Sequence, residues 1–217
     1  MKLLSVLLCL VPSYLIGCIN PAYILAKCKG FDIRQRGSGN AGASNAIITL
    51  GKGGGVFSAL FDIGKSYGAI ALCQWLVPGQ PLVLPLAAAA VIAGHIFPMF
   101  MGFRGGKGLA CLAGTVMRYD WRLFLLLLAA EAVLALVTDY ICVIPLTASV
   151  AFTVIYAIQT GYLPGVLVLV AIIGMIYYKH IDNLKRIRSG GEMHLSYLWH
   201  PKEEEQRMEE YRQQGRK

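Results

Sequence analysis

Three short polar stretches carry most of the residue types in this chain that could act on an anionic substrate. The first reads Arg34-Gln35-Arg36-Gly37-Ser38-Gly39-Asn40-Ala41-Gly42-Ala43-Ser44-Asn45 and contains G-x-G-x-x-G at Gly37, Gly39 and Gly42. That spacing serves a dinucleotide only behind a strand in a βαβ unit, and apolar blocks flank it here. What remains is a glycine-permitted loop whose amides can converge on an anion, with Ser38, Asn40 and Asn45 as further donors and Arg34 and Arg36 beside it. Taken alone, a turn at a membrane surface accounts for it equally well. The second stretch, Gly102-Phe103-Arg104-Gly105-Gly106-Lys107-Gly108, follows Gly94-His95-Ile96-Phe97-Pro98. It lacks the nucleotide P-loop spacing but keeps small residues that let amides approach phosphate and a lysine as a compact positive charge. The third runs from His180 to Glu192. If helix continues into it, His180, Asn183 and Arg186 recur every three residues near one face, and Gly190-Gly191 end the helix ahead of Glu192.

The elements that must position these loops are membrane helices. The 217 residues are 56% hydrophobic and only 15% charged, against about a quarter charged in soluble domains. The apolar residues come in blocks near 3–26, 55–77, 81–102, 121–138, 140–158 and 163–179, with a weaker one near 108–118; about 20 residues of helix cross a hydrocarbon core. A net charge of +8 suggests nucleic acid, but the cations sit beside apolar block ends and form no aromatic-laced basic face, so no nucleic-acid partner is expected. The six cysteines show no C-x-x-C pair and read as small buried hydrophobes. Leu15-Ile16-Gly17-Cys18 resembles a lipoprotein cleavage box, yet the apolar run continues to Ala26 and closes on Lys27 and Lys29, as a retained helix does. No linker divides the chain. The expectation is one membrane domain over 1–201 and a polar, mixed-charge tail over 202–217, solvated or frayed.

Orientation decides the weak segment. Lys27, Lys29, Arg34 and Arg36 follow the first block, Arg104 and Lys107 the third, and Lys179, Lys185, Arg186 and Arg188 the last. If all three basic loops face the cytoplasm, an even number of crossings separates the second from the third. The segment near 108–118 must then cross too, short or tilted. This gives an all-α integral membrane protein of seven transmembrane helices, N-terminus outside and C-terminus cytoplasmic, and puts Arg118 and Arg122 on the outer side.

Together the three stretches resemble the signature motifs of the bacterial acyl-phosphate-dependent glycerol-3-phosphate acyltransferases. The Gly-Ser-Gly-Asn-x-Gly-Ala-x-Asn loop matches Gly37 to Asn45, and the Gly-His-x-Phe-Pro and Gly-Gly-Lys-Gly segments match Gly94 to Pro98 and Gly105 to Gly108. The His-x-x-Asn-[Ile/Leu]-x-Arg segment ending in Gly-x-Glu matches His180 to Arg186 and Gly190 to Glu192. The resemblance implies seven helices and a cytoplasmic active site in the bacterial inner membrane. It further implies acyl phosphate and glycerol 3-phosphate as substrates, membrane lipid as surroundings, and no metal or other cofactor. It implies catalytic roles for Ser38, Lys107, His180 and Asn183. Substrate binding would fall to Arg36, Gly37, Gly39, Asn40, Asn45, His95, Arg104, Gly105, Gly106, Gly108, Arg186 and Glu192. An acyl phosphate carries a good leaving group, so positioning and charge neutralisation suffice, and the base is either His180 or a substrate phosphate. The chain departs from the pattern at Ile48 and Asp139, where arginines are common, at Pro145, where a serine is, and at Ser44 and Cys111, where threonines are. Arg34, Arg36 or Arg104 would have to make up the lost charge. A transporter or lipid translocator, suggested by Glu131, Asp62 and Lys65 inside apolar blocks, and an inactive divergent family member remain as alternatives.

Overall fold

A computed structural model describes residues 2–192 and 194–214. Apart from one isolated β-bridge, their regular structure is helical. The first apolar block forms α1 (Leu3–Cys18) and α2 (Pro21–Cys28). The break falls at Pro21, which has no N–H to give, and Asn20 caps the second piece by accepting from Tyr23 N at 2.8 Å. Gly42 opens the short α3 (Ala43–Leu50), and Gly51, with a φ of +85°, turns the chain into α4 (Lys52–Leu76). Then come α5 (Val83–Ile96), α6 (Leu109–Tyr119), α7 (Trp121–Thr138), α8 (Ile144–Thr160), α9 (Leu163–Arg188) and α10 (Pro201–Gln214). Asp120 starts α7 by accepting from Arg122 N and Leu123 N, while Pro145 lies in the first turn of α8, where no amide is needed.

Glycines set how closely the helices approach. A Cβ on Gly17 would fall 2.3 Å from Val91 O, and one on Gly94 would fall 2.2 Å from Tyr14 O, so α1 and α5 pack backbone to backbone. The stretch resembling a cleavage box is therefore inside the helix contact, with Cys18 buried. Gly114 does the same for α6 against Ile63 O of α4. Between them lies an apolar core that includes Ile70, Cys73, Val91, Ile92, Phe152 and Ile176. The outer faces are apolar too: on α7 Leu126, Val133, Leu136 and Val137 are exposed, Val137 at 79%. Apolar exposure on this scale is a lipid-facing surface.

Among the described residues, six segments are long and apolar enough to cross a membrane: Leu3–Cys28, Lys52–Leu76, Val83–Met101, Trp121–Thr138, Ile141–Thr160 and Leu163–Arg188. The protein is a multi-pass helical membrane protein. The seventh crossing expected from charge parity falls on α6, whose 11 residues extend only about 16 Å, short of a hydrocarbon core of about 30 Å. Its direction follows from its partners. Thr115 Oγ1 lies 3.2 Å from Ser66 Oγ, and Arg118 Nε donates to Gln74 Oε1 at 2.8 Å, so α6 runs alongside α4 in the same sense. Tyr119, at its end, donates to Gln159 Oε1 at 2.7 Å near the end of α8. The two arginines of this end rest on aromatic rings, Arg118 over Tyr67 and Arg122 over Trp121. Glu131, inside α7, accepts from Thr147 Oγ1 of α8 at 2.7 Å, which offsets part of its desolvation.

The last segment is not a free tail. Met208 and Glu204 of α10 are buried, and Arg207 bonds back to the turn after α9. Mixed charge conceals this in the sequence, because only Met208 and Tyr211, three apart, mark an inward face.

Candidate functional site

The first loop is built around a buried side chain, Asn45. Its Nδ2 donates to Ile33 O (3.0 Å), Arg36 O (3.1 Å) and Asn40 O (2.8 Å), and its Oδ1 accepts from Ser38 N (2.8 Å). The loop can close on that amide only because position 37 is glycine: its φ is +52°, and a Cβ there would sit 2.2 Å from Asn45 Oδ1. Gly39 N is also spent within the loop, on Arg36 O. Arg34 ties this loop to the second, donating to Met101 O at 2.7 Å while pairing with Asp32 at 2.8 Å. Hydrogen bonding from Arg34 holds the Asp32 carboxyl below the usual carboxylate range.

The second loop folds back onto the end of α5. Gly105 N donates to Ile96 O (3.1 Å) and Gly106 N to His95 O (3.0 Å). A Cβ on Gly105 would lie 2.0 Å from His95 O, and one on Gly106 would lie 2.1 Å from His95 Nε2. These glycines are therefore small so that the turn can lie on the helix end, and their amides are not offered to a ligand. What the loop presents instead is Lys107, which donates to Asn183 Oδ1 of α9. In the third segment Asn183 Nδ2 donates to Glu192 Oε1 (2.6 Å) and Arg186 Nε to Glu192 Oε2 (2.9 Å), so one buried carboxylate orients both.

The three segments meet at a cleft of about 380 Å³ lined by Arg34, Ser38, Gly39, Asn40, Arg104, Gly105, Lys107, Lys179, Asp182, Asn183 and Arg186. Its lining is cation-rich, with Arg34, Arg104, Lys107, Lys179 and Arg186 against Asp182; Asp32 and Glu192 behind the wall pair with Arg34 and Arg186, so the surplus rests on Arg104, Lys107 and Lys179. Burial, reinforced by Arg186, pushes Lys107 down to about 8. A phosphate dianion is the partner such a cleft lacks.

Of the residues expected at the site, Ser38, Gly39, Asn40, Arg104, Gly105, Lys107, Asn183 and Arg186 line the cleft. Gly37, Asn45, Gly106, Gly108 and Glu192 do not; they shape or brace its walls. Arg36 turns away, its guanidinium 4.1 Å from the Phe31 ring centroid. His180 is buried, one turn of α9 before Asn183, with Nδ1 2.7 Å from Ile176 O. A carbonyl only accepts, so Nδ1 carries a proton. His95 lies behind the second loop in a closed cluster, its Nδ1 3.2 Å from Lys65 Nζ and 3.4 Å from Asp62 Oδ1. Lys179 and Asp182, which line the cleft, are absent from the expected set; their spacing from Asn183 and Arg186 on one helix is the signal that could have found them.

Among the described residues one group offers metal-ligand atoms: Asp62, His95 and Cys111, mutually within 4.8 Å. The cation position there is taken by Lys65, whose Nζ lies 2.6 Å from Asp62 Oδ1 and donates to Gly17 O and Ile19 O at the end of α1. The cluster is a charge-balanced joint between α1, α4 and α5.

The glycerol-3-phosphate acyltransferase family model matches residues 7–190. Glycerol-3-phosphate acyltransferase 1 of Oceanobacillus iheyensis is 37% identical over 197 residues, covering 86% of this chain and 93% of that protein. The glycerol-3-phosphate acyltransferase of Clostridioides difficile is 34% identical, over 88% of this chain and 96% of that protein. Among solved structures, PlsY, an integral membrane glycerol 3-phosphate acyltransferase crystallised in its glycerol 3-phosphate form, superposes with a TM-score of 0.82 at 29% identity, over 89% of this chain and 97% of that one. Its lysophosphatidic acid form gives 0.79 at 28%.

Proposed function

Because the chain belongs to the glycerol-3-phosphate acyltransferase family, we propose that it transfers a fatty acyl group from acyl phosphate to glycerol 3-phosphate, releasing lysophosphatidic acid and phosphate. The observation that carries this reading is the meeting of three sequence-distant polar segments at one cleft with five cations against one carboxylate. The glycerol hydroxyl oxygen attacks the acyl carbonyl carbon, the bond from that carbon to the phosphate oxygen breaks, and phosphate departs with the electron pair. Lys107, braced by Asn183, binds the phosphate of glycerol 3-phosphate; Ser38 and Asn40 contact the substrates from the opposite wall; Arg104 and Lys179 neutralise the second phosphate, with Arg34 and Arg186 held beside them by Asp32 and Glu192. Arg104 thereby takes over charge that Ile48 and Asp139 do not supply, since Arg34 is already paired with Asp32. The hydroxyl proton goes to the departing phosphate, because His180 is buried outside the cleft lining, its Nδ1 committed to Ile176 O one turn back in its own helix.

The cleft faces the cytoplasm in a bacterial inner membrane, with seven crossings, the N-terminus outside and the C-terminus inside. Support comes from α6 running in the same sense as α4, from its partners Gln74 and Gln159 at the end away from the cleft, and from the basic loops gathered at the cleft end. We further assign residues 1–201 to the membrane enzyme proper and 202–217 to a C-terminal appendage. Purified protein in detergent, given acyl phosphate and glycerol 3-phosphate, should release phosphate and lysophosphatidic acid in equal amounts. Absence of product with either substrate in excess would refute the assignment.

A further inference from the structure

The family match ends at residue 190, yet the chain beyond it is engaged with the site's supports. It first lies against the turn after α7. Tyr140 and His194 form the isolated bridge, Leu195 N donates to Asp139 O at 3.0 Å, and His194 Nδ1 lies 2.7 Å from Asp139 Oδ2. Leu198 packs with Ile141 against buried Ile48. Two positions where the chain departs from the motif pattern, 48 and 139, are thus in contact with this strap. Helix α10 then returns to the turn after α9. Arg207 donates to both Glu192 O and Gly190 O, and the Tyr211 ring lies so close over Gly191 that a Cβ there would come within 2.2 Å of it. Glu204, itself buried, pairs with Arg207 and accepts from His194 N at 2.9 Å, joining the two halves of the strap.

We infer that Arg207 is a positioning residue for the phosphate site, acting through Glu192. This rests on the function proposed above. Glu192 can hold Asn183 and Arg186 only if its backbone is fixed, and it follows two glycines, the residues with the most backbone freedom to lose. The turn's own bonds, Gly190 N to Ile187 O and Gly191 N to Arg186 O, fix the two glycines to α9. Arg207 fixes the carbonyl side, and a guanidinium can donate to two carbonyls at once with little reorganisation, whereas a lysine ammonium holds no such fork. The path runs from Arg207 to the Gly190–Glu192 turn, through the Glu192 carboxylate to Asn183, and from Asn183 Oδ1 to Lys107.

The test compares Arg207→Ala, Arg207→Lys and a control on the exposed face of α10, Glu209→Gln, in the full-length protein. Arg207→Ala should raise KM for glycerol 3-phosphate about tenfold, less than the loss of a direct charge-assisted bond because Arg207 acts through the turn, with kcat and KM for acyl phosphate changed less than about twofold. Arg207→Lys should lie between it and wild type, and Glu209→Gln should match wild type. In the substrate-free protein Arg207→Ala should also speed amide hydrogen exchange at residues 190–192. An unchanged KM in Arg207→Ala, with or without a lower Tm, overturns the inference; if that variant does not fold, an unchanged KM in Arg207→Lys does so. If wild type itself shows no turnover, the functional assignment falls instead, and unchanged exchange at 190–192 then decides against Arg207.

Discussion

Two sets of charged side chains meet at the Gly105–Gly106 turn and are treated in opposite ways. On the α5 side Asp62, Lys65 and His95 are closed on one another: Lys65 reaches the carboxylate at 2.6 Å, lies 3.2 Å from His95 Nδ1, and donates to two carbonyls at the end of α1. On the other side, five cations line an open cleft with one carboxylate among them, and the carboxylates behind two of them, Asp32 and Glu192, still leave a surplus of positive charge. Both sets contain Lys and acidic groups of the kind that mark active sites in apolar proteins. The difference is whether the charge is met from within. A balanced cluster holds helices together, and an unbalanced one waits for a ligand of opposite sign. Asp62 and Lys65, which on sequence admit a transport pathway, belong to the first kind, while Lys107 belongs to the second.

The sharpest way to break this contrast is to unbalance the closed set. Asp62→Ala leaves Lys65 buried without its counter-charge and should cost about 3–5 kcal/mol of stability, read as a large fall in Tm or as loss of folded protein in detergent. If the variant remains as stable as wild type and loses only substrate affinity, the cluster is part of the binding site. A smaller effect is expected on the open side. Lys107→Ala should raise KM for glycerol 3-phosphate roughly thirtyfold, the worth of a charge-assisted hydrogen bond of about 2 kcal/mol, with Tm nearly unchanged because no internal partner is left charged and buried.

The pH dependence sharpens the same point. Lys107 in the free protein is held down to about 8, so it is cationic below that value and neutral above it. Glycerol 3-phosphate, a dianion above about pH 6, binds the cationic form, so KM should rise as pH passes upward through about 8. That rise should vanish in Lys107→Ala, and a flat profile in the wild type would remove Lys107 from the phosphate contact. The smallest effect belongs to Arg36. Its guanidinium stacks on Phe31, outside the cleft, and Arg36→Ala should change KM for either substrate less than about twofold, as surface substitutions do.

The sequence made the membrane class and the three polar segments readable because both are local signals. Apolar blocks have length, and glycine-flanked cations have spacing. It did not reveal what each glycine is for. Gly105 and Gly106 suit phosphate contact by composition, but their amides are spent on α5, and only the position of His95 shows why no side chain fits. Asn45 reads as an exposed donor, yet all four of its bonds are internal, a fact set by loop closure over 12 residues. The strap at 194–214 was hidden because its contacts reach Asp139 and Ile48, more than 50 residues away, and charge composition carries no trace of such pairing. Lys179 and Asp182 were hidden for a different reason: an apolar helix that ends in charge looks like a membrane boundary whether or not one face of it lines a cleft.

The central claim is that loops distant in sequence grip one substrate together, and a double-mutant cycle tests it most directly. Ser38→Ala, Lys107→Ala and the double variant should be compared by kcat/KM for glycerol 3-phosphate. The account predicts that the two losses fail to add by about 1 kcal/mol or more, since each side chain works through the same bound molecule. Losses that add within about 0.5 kcal/mol would mean that the two loops do not share a ligand, and would contradict the account.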